Sequence, residues 1–546
     1  YIVKLKSHSK FNIAQSSYKL IPIFENIPSG KLNKLNSQNT MLLDNLKNYY
    51  KVELKNEEII KFKNSVPLES ITPNYTYKIE TAPIPNDPQF SFQWNLSYLN
   101  VLNAWEKATG KGVIVGIIDT GTDFNHPDLQ GQLWINPKED INNNGRFDPW
   151  LSSEVRDGVS GDLDGIDNDG NGYPDDVIGY DFVDVTTRNI GDDQDPDPIP
   201  YDEESHGTSM AGIVSAAHNN SIGLSGIAYN SKIMTIRAFD ISGSGESDDI
   251  AAAIVYAVTN GANVLNFSWG EQYYSPLMHD AIKFAYANNV TMVSSSGNNN
   301  WYQKHFPSDL EEVISVGAIT DKLVKSGSSN YGNRIDLLAP GQAIPCLDPN
   351  NNYQLKSGTS VAAPQVTSAV AMLLELSPNM TPAEMKFLLE ASATDDNEIP
   401  GWDPFSGNGI LDINRAINSK SLGTVTITYP EHNSSVDLSK TDSLAIIGTV
   451  SHPLMRSYSL YVRKSINPFN EPDFRSNEKF EEWTLASDRK YNQVVNDTIA
   501  MLSKSLFKDS IYTVRLKIDL INNSTFEQRF YFRPYTNSIF SKNSFT

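Results

Sequence analysis

Cysteine is almost missing from this chain: Cys346 is the only one in 546 residues, which excludes an intrachain disulfide and leaves stability to packing or to bound ions. No apolar run approaches the roughly 20 residues that a membrane-spanning helix needs. Positive charge is scarce as well, with 44 Lys and Arg against 65 Asp and Glu and a net charge of -21. Phosphate-bearing partners are held by clustered Lys and Arg, so this balance argues against nucleic acid and anionic lipid. The scarcity is uneven. Residues 1–80 hold 12 Lys, no Arg and 7 Asp or Glu, a balance of +5 that leaves -26 on the remainder. A basic front segment on an acidic body predicts two parts that associate.

The length exceeds what one hydrophobic core supports and predicts two to four domains. Residues 1–80 combine strand-like Tyr1-Ile-Val-Lys-Leu-Lys6 and Tyr50-Lys-Val-Glu-Leu54 with a helical pattern over Asn56–Asn64 and an extended Leu68–Tyr75, a small α+β module. The Pro-rich Thr81–Pro88 reads as a linker. From Gln93 to about Asn418, strand candidates Val113–Ile118, Lys232–Arg237, Val264–Ser268, Val290–Ser294 and Val313–Val316 alternate with helical patterns. That alternation predicts an α/β fold, a parallel sheet with helices on both faces. In such sheets function gathers at the carboxyl ends of strands, where Asp119 closes one candidate strand and Asn298 follows another. Past Leu422, short β-rich runs at Thr424–Thr428, Ser443–Val450, Ser457–Val462 and Ile511–Ile518 predict a β-sandwich. The expected division is 1–80, 81–420 and 421–546.

Three stretches carry chemistry: Val115-Gly-Ile-Ile-Asp119 through Leu129, Ser205-His206-Gly-Thr-Ser-Met-Ala-Gly212, and Ser357-Gly-Thr-Ser360-Val-Ala-Ala-Pro364. A serine hydroxyl is a poor nucleophile until a base takes its proton, and a buried carboxylate must hold that base in the useful tautomer. Ser360, His206 and Asp119 suit those roles. Gly358 permits close approach of a peptide backbone. The apolar run Val361–Leu376 reads as a helix starting at the nucleophile, with Pro364 in its first turn, and His206 opens a second helical pattern, Gly207–Ala217.

The chain order Asp, His, Ser and the surroundings of each residue closely resemble the signature motifs of the subtilases, the subtilisin-like serine proteases of peptidase family S8. The resemblance spans about residues 87–417 and ends in Gly407-Asn-Gly-Ile-Leu-Asp-Ile-Asn-Arg-Ala416. It implies a subtilisin-like catalytic domain and a serine endopeptidase that cleaves proteins or peptides through an acyl-enzyme. Asn298, in Val293-Ser-Ser-Ser-Gly-Asn298, matches the family's oxyanion-hole asparagine; removing such a donor costs about 2.7–4 kcal/mol. Asn266-Phe-Ser-Trp-Gly270 resembles the strand that binds substrate backbone, placing Ser268, Trp269 and Gly270 in a wall of the primary specificity pocket. The spacing through Phe306-Pro307 puts His305 near the base of that pocket, which argues against a large aromatic P1 residue. Residues 1–80 resemble the family's propeptide, which helps the enzyme fold and then fills its cleft, with the linker as the natural place for the cut. The resemblance further implies secretion or display at the cell surface, and a chain that opens on Tyr1 is expected to have lost any signal peptide.

Between Asp119 and His206 lies an acidic insertion, about 136–204. Residues 138–204 hold 20 Asp or Glu and only 4 Lys or Arg. Within it, Asp140, Asn142, Asn144 and Asp148 repeat the spacing of Asp167, Asp169, Asn171 and Asp175, with Gly145 and Gly172 in the same relative place. Oxygen side chains at positions 1, 3, 5 and 9 with Gly at 6 follow calcium loops of the EF-hand type. Position 12 departs from that pattern, being Leu151 and Ile178, so another carboxylate, Asp164 or Asp176, is expected to complete the shell. Asp87, Asp128 and Asn220 stand in segments that resemble the three builders of a separate subtilase calcium site, with backbone carbonyls near His218, Ile222 and Leu224 as further ligands. Ca²⁺ is the expected structural cofactor. Two other readings stay open: a catalytically silent adhesion or calcium-binding surface protein on a subtilase scaffold, and a kexin-type processing protease.

Overall fold

The computed structural model describes residues 1–6, 13, 16–24, 45–74, 84–184, 195–332, 334–394, 402–419, 423–431, 434–452, 455–465, 483–508, 510–520 and 525–536. Tyr1–Thr81 and Ala82–Thr546 are separate compact units. In the first, Ile21–Pro22, Tyr49–Lys51, Ile2–Leu5 and Leu68–Thr72 pair in that order as an antiparallel sheet. Helix Ile59–Ser65 sends Phe62 into a core with Val3, Leu5, Leu20, Val52 and Val66. Tyr75 and Thr81–Pro83, which the sequence assigns to an extended run and a linker, lie outside the described residues.

The second unit is built on seven strands: β1 Ile114–Asp119, β2 Gly179–Asp181, β3 Lys232–Arg237, β4 Val264–Phe267, β5 Thr291–Ser295, β6 Val313–Ile319 and β7 Leu337–Pro340. Their order in space is β7-β6-β5-β4-β1-β3-β2, and every pairing is parallel. Side chains on a strand alternate between faces, which makes two cores here. Val115 and Ile117 face one core, where helices α1 His206–Ser215 and α4 Thr359–Leu376 pack; Ile118 joins Met234 and Ile236 in the other, under α2 Ser247–Thr259 and α3 Pro276–Ala287. The chain is therefore a parallel α/β sheet covered on both faces. β2 and β7 are additions to the five expected strands.

α4 starts at Thr359, two residues before the expected start, so Pro364 sits in the second turn rather than the first. A proline there has no N–H to give the carbonyl four residues back. That carbonyl belongs to Ser360, and the Ser268 hydroxyl donates to it instead, at 2.8 Å. Ser268 in turn accepts from the Asn266 side-chain amide, whose oxygen accepts from Thr367 on the same helix.

The C-terminal region forms two sheets. Thr424–Tyr429, Ser443–Ser451 and Val494–Ser503 make one; Ser435–Asp437, Thr525–Tyr535, Ile511–Leu520, Met455–Ser465 and Thr484–Lys490 make the other. They share a core containing Ile446, Leu460, Leu502, Val514 and Phe532, the expected sandwich. Phe387, from helix α5 Pro382–Ser392, belongs to that same core, and the Arg529 guanidinium lies 3.9 Å over the Trp402 ring. Among the described residues no helix is long and apolar enough to cross a membrane.

Candidate active site

Asp119 is the last residue of β1 and is buried. One of its oxygens accepts from His206 Nδ1 at 2.7 Å and from the Thr120 N–H at 2.9 Å, so imidazole and strand end share a single acceptor. His206 is the first residue of α1, reached through Ser205 at a φ of 99°, a conformation that side chains disfavour. Asp202, which the sequence reading missed, holds that turn. Its buried carboxylate accepts from the Thr120 hydroxyl at 2.8 Å, from the Ser205 N–H at 2.7 Å, and from the Thr208 N–H and hydroxyl at 2.8 and 2.6 Å. Thr120 also accepts the Gly207 N–H at 2.9 Å, so one network joins the carboxyl end of β1 to the start of α1. The available signal was an acid four residues before His206, hidden among the many acids of the insertion.

Burial works against protonation of His206, but the Asp119 charge and hydrogen bond outweigh it and hold the imidazole above its ordinary value. Lys356 opposes that rise and Glu204 adds to it. The Lys356 ammonium donates to the Ser205 hydroxyl at 3.0 Å and carbonyl at 3.2 Å, and the Glu204 carboxylate accepts the His206 N–H at 2.8 Å.

Ser360 is the second residue of α4, and Gly358 before it has a φ of 147°. A Cβ at Gly358 would stand 3.2 Å from both Ser360 Oγ and Asn298 Nδ2, so the hydroxyl and the amide flank one small space. The amide has one orientation open to it. Asn298 Oδ1 accepts from the Thr359 N–H at 2.8 Å and its hydroxyl at 3.1 Å, which turns Nδ2 outward as a donor. Ser268, Trp269, Gly270, Asn298 and His305 line one cleft of about 250 Å³. Trp269 is fixed by its indole N–H on the Ile118 carbonyl at 2.7 Å. The His305 ring fits against Gly270 and Gly297, where a Cβ would meet it at 2.2 and 2.8 Å. Burial pushes His305 down to about 4, with Glu271 opposing, so the ring is neutral near pH 7.

The acidic insertion has two centres. In the first loop the Asp140 carboxylate accepts the N–H groups of Asn144 and Gly145 at 3.2 and 2.8 Å, while the amides of Asn142 and Asn144 both donate to Asp148 Oδ2. Asp162, absent from the sequence reading, enters the same loop: its Oδ2 accepts the Asp148 N–H at 2.7 Å. Burial, with the neighbouring Asp140 and Asp148 carboxylates, pushes Asp162 up to about 6.

In the second loop one carboxylate oxygen each from Glu139, Asp167 and Asp169 lie within 4.8 Å of one another, oxygen chemistry that suits a hard divalent cation. Glu139 precedes the first loop in sequence and went unnoticed as a partner of the second. Asn171 joins this group through its amide on Asp169 Oδ2 at 3.3 Å. Asp175 does not. Its carboxylate, the position-9 group of the spacing, turns to the N–H groups of Asp164 and Gly165, while Asp164, one of the two carboxylates expected to complete the shell, accepts from the Ile166 N–H. Asp176 lies beside Asn171 at 2.9 Å and accepts the Tyr256 hydroxyl; burial pushes it up to about 7.

Asp87, Asp128 and Asn220 also converge. Asn220 Nδ2 donates to the buried Asp128 at 2.7 Å, and Asp87 accepts the N–H groups of Asn219 and Asn220 at 3.0 and 3.1 Å.

Residues 110–409 match the profile of the subtilase family. The chain is 31% identical over 371 residues to the thermophilic serine proteinase of Bacillus sp. strain AK1, covering 67% of this chain and 76% of that protein. It is 28% identical over 334 residues to thermitase of Thermoactinomyces vulgaris, covering 61% of this chain and 99% of thermitase. A solved protease structure from Pseudoalteromonas arctica superimposes with a TM-score of 0.50 at 26% identity, over 61% of this chain and 99% of that one.

Proposed function

This chain belongs to the subtilase family of serine endopeptidases, and from that premise we propose that Ser360 is its nucleophile, His206 its base, Asp119 the orienting carboxylate and Asn298 the oxyanion donor. The observation that carries the reading is the 2.7 Å contact of His206 Nδ1 with Asp119 at the carboxyl end of β1. With Nδ1–H donated to Asp119, Nε2 is the free lone pair that takes the Ser360 proton as Oγ attacks the peptide carbonyl. The carbonyl oxygen becomes an anion and receives the Asn298 amide and the N-terminal end of α4. His206 then returns its proton to the leaving amine, giving an acyl-enzyme that water hydrolyses by the same steps in reverse. Substrate backbone runs along 268–270, and His305 forms the floor beneath its side chain.

The test is the acid limb of kcat/KM. His206 must be neutral to act as a base, so activity falls as pH drops through its pKa, and the limb is expected above the ordinary histidine value of about 6.5. Lys356→Met removes a cation that favours the neutral ring. The limb should then move further up, because the charge that opposed protonation is gone. A limb that stays in place in that variant argues against His206 as the titrating base.

We read residues 1–80 as a propeptide, and the support is their own folded core and a charge of +5 against -26. Opposite charge speeds encounter, while packing supplies most of the affinity. Added in trans, the segment is expected to inhibit the mature enzyme, more slowly at high salt; absence of inhibition at any concentration removes the reading. Secretion or cell-surface display and structural Ca²⁺ at the three acidic groups complete the proposal. The donor chemistry fits that ion: Asp87, Asp128 and Asn220 at one place, Asp140, Asn142, Asn144 and Asp148 at the second, Glu139, Asp167, Asp169 and Asn171 at the third.

A further inference from the structure

Asp162 stands fourteen residues beyond Asp148, outside any loop pattern that sequence spacing reveals, and its side chain is completely buried. The backbone brings it there. The Asp162 N–H donates to the Asp148 carbonyl at 3.0 Å, and the Asn142 amide donates to the Ser160 carbonyl at 2.7 Å, so 160–162 lies along the inside of the first loop. Asp162 Oδ2 is taken by the Asp148 N–H, position 9 of that loop. Oδ1 is buried and has no hydrogen-bond partner among the described residues. The carboxylates of Asp140 and Asp148, both buried, bear on it electrostatically. Among the described residues, the cation seen on this group is Arg146, 3.2 Å from Asp148 Oδ1 with its side chain 59% exposed. A buried carboxylate oxygen on which no hydrogen bond closes, beside two more carboxylates, is unfavourable while charged, and a cation relieves it as a proton would.

We propose that Asp162 is the ligand that closes the first acidic loop around a divalent cation of the Ca²⁺ class, in the place of the missing position-12 side chain. The loop then binds as an independent centre, with Asp140, Asn142, Asn144 and Asp148 from one side and Asp162 Oδ1 from the other. Glu139 serves the second loop, so the two centres have separate carboxylate sets. The inference rests on the reading of the first loop as an ion site, and the variants below separate the two.

The experiment is calorimetric titration of CaCl₂ into the full chain carrying Ser360→Ala to prevent self-digestion, and into the same chain with Asp140→Ala, Asp162→Asn or Asp167→Ala. Asp140→Ala and Asp162→Asn are each expected to remove the same equivalent of calcium or weaken it at least about tenfold, whereas Asp167→Ala retains it. If Asp140→Ala removes an equivalent and Asp162→Asn removes none, the loop binds without Asp162 and the inference is overturned alone. If neither variant changes the titration, the ion reading of the loop fails and the inference with it. Should Asp162→Asn not fold by circular dichroism, crystals of the Ser360→Ala chain grown with Tb³⁺ decide. An anomalous peak about 2.3–2.6 Å from Asp162 Oδ1 is the expected result; no peak there overturns the assignment.

Discussion

Ser360→Ala is expected to lower kcat/KM by at least about 10⁴-fold and to abolish labelling by a fluorophosphonate probe, while the fold survives. The size follows from how the proposed group works. A base, an orienting carboxylate and an oxyanion donor act on one hydroxyl, so removing the hydroxyl disables all of them together and leaves only what binding and the oxyanion donor contribute. Ser360 is half-buried at the start of a helix whose other early residues are packed, and loss of one oxygen disturbs none of that packing. Asn298→Leu should cost less, about 10²–10³-fold, because it removes a single donor. Equal labelling of the parent and the Ser360→Ala chain would show that the nucleophile lies elsewhere. No labelling of the parent would favour the silent-scaffold reading.

The second large effect is thermal. With one cysteine the chain has no disulfide to oppose unfolding, and the three acidic groups concentrate like charges that repel unless neutralised. An ion that binds only the folded state stabilises it by about 2.7 kcal/mol per site at a hundredfold excess over its dissociation constant. For a cooperative unit of some 300 residues that corresponds to ~4 °C per site. Excess EGTA is therefore expected to lower the melting temperature of the Ser360→Ala chain by several degrees, and of the active chain to hasten self-digestion. Asp128→Ala should reproduce part of the loss, and Asp167→Ala a separate part. Melting curves that coincide in EGTA and in millimolar calcium would reduce the acidic loops to solvated surface.

Much of the fold and the proposed chemical groups could be read from the sequence, because each rests on a local pattern. β1, β3, β4, β5 and β6 are apolar runs bounded by polar residues; Asp119 ends one of them, Asn298 follows another by three residues, and His206 and Ser360 stand at the starts of helices. The remainder depends on long-range placement. Asp202 is one acid among twenty in the insertion, and only the fold shows that it holds Thr120, Ser205 and Thr208 together. Asp162 and Glu139 were invisible for the same reason, since spacing identifies ligands within a loop and not those a second segment brings to it. Asp175 illustrates the converse: its position in the pattern predicts a ligand, but the turn at Asp164 and Gly165 offers it N–H donors first.

The bond from Ser268 to the Ser360 carbonyl has a consequence for redesign of the enzyme. Position 268 borders the cleft, so it is a natural target for anyone wishing to alter which side chains enter. Because Pro364 withholds the usual helix donor, the same hydroxyl also anchors the backbone of the residue proposed to react. With the roles proposed for Ser268 and Ser360, selectivity and turnover would be mechanically linked at this position. An exchange meant to reshape the cleft would also release the helix end that carries the hydroxyl, so the useful targets for retuning preference lie around His305.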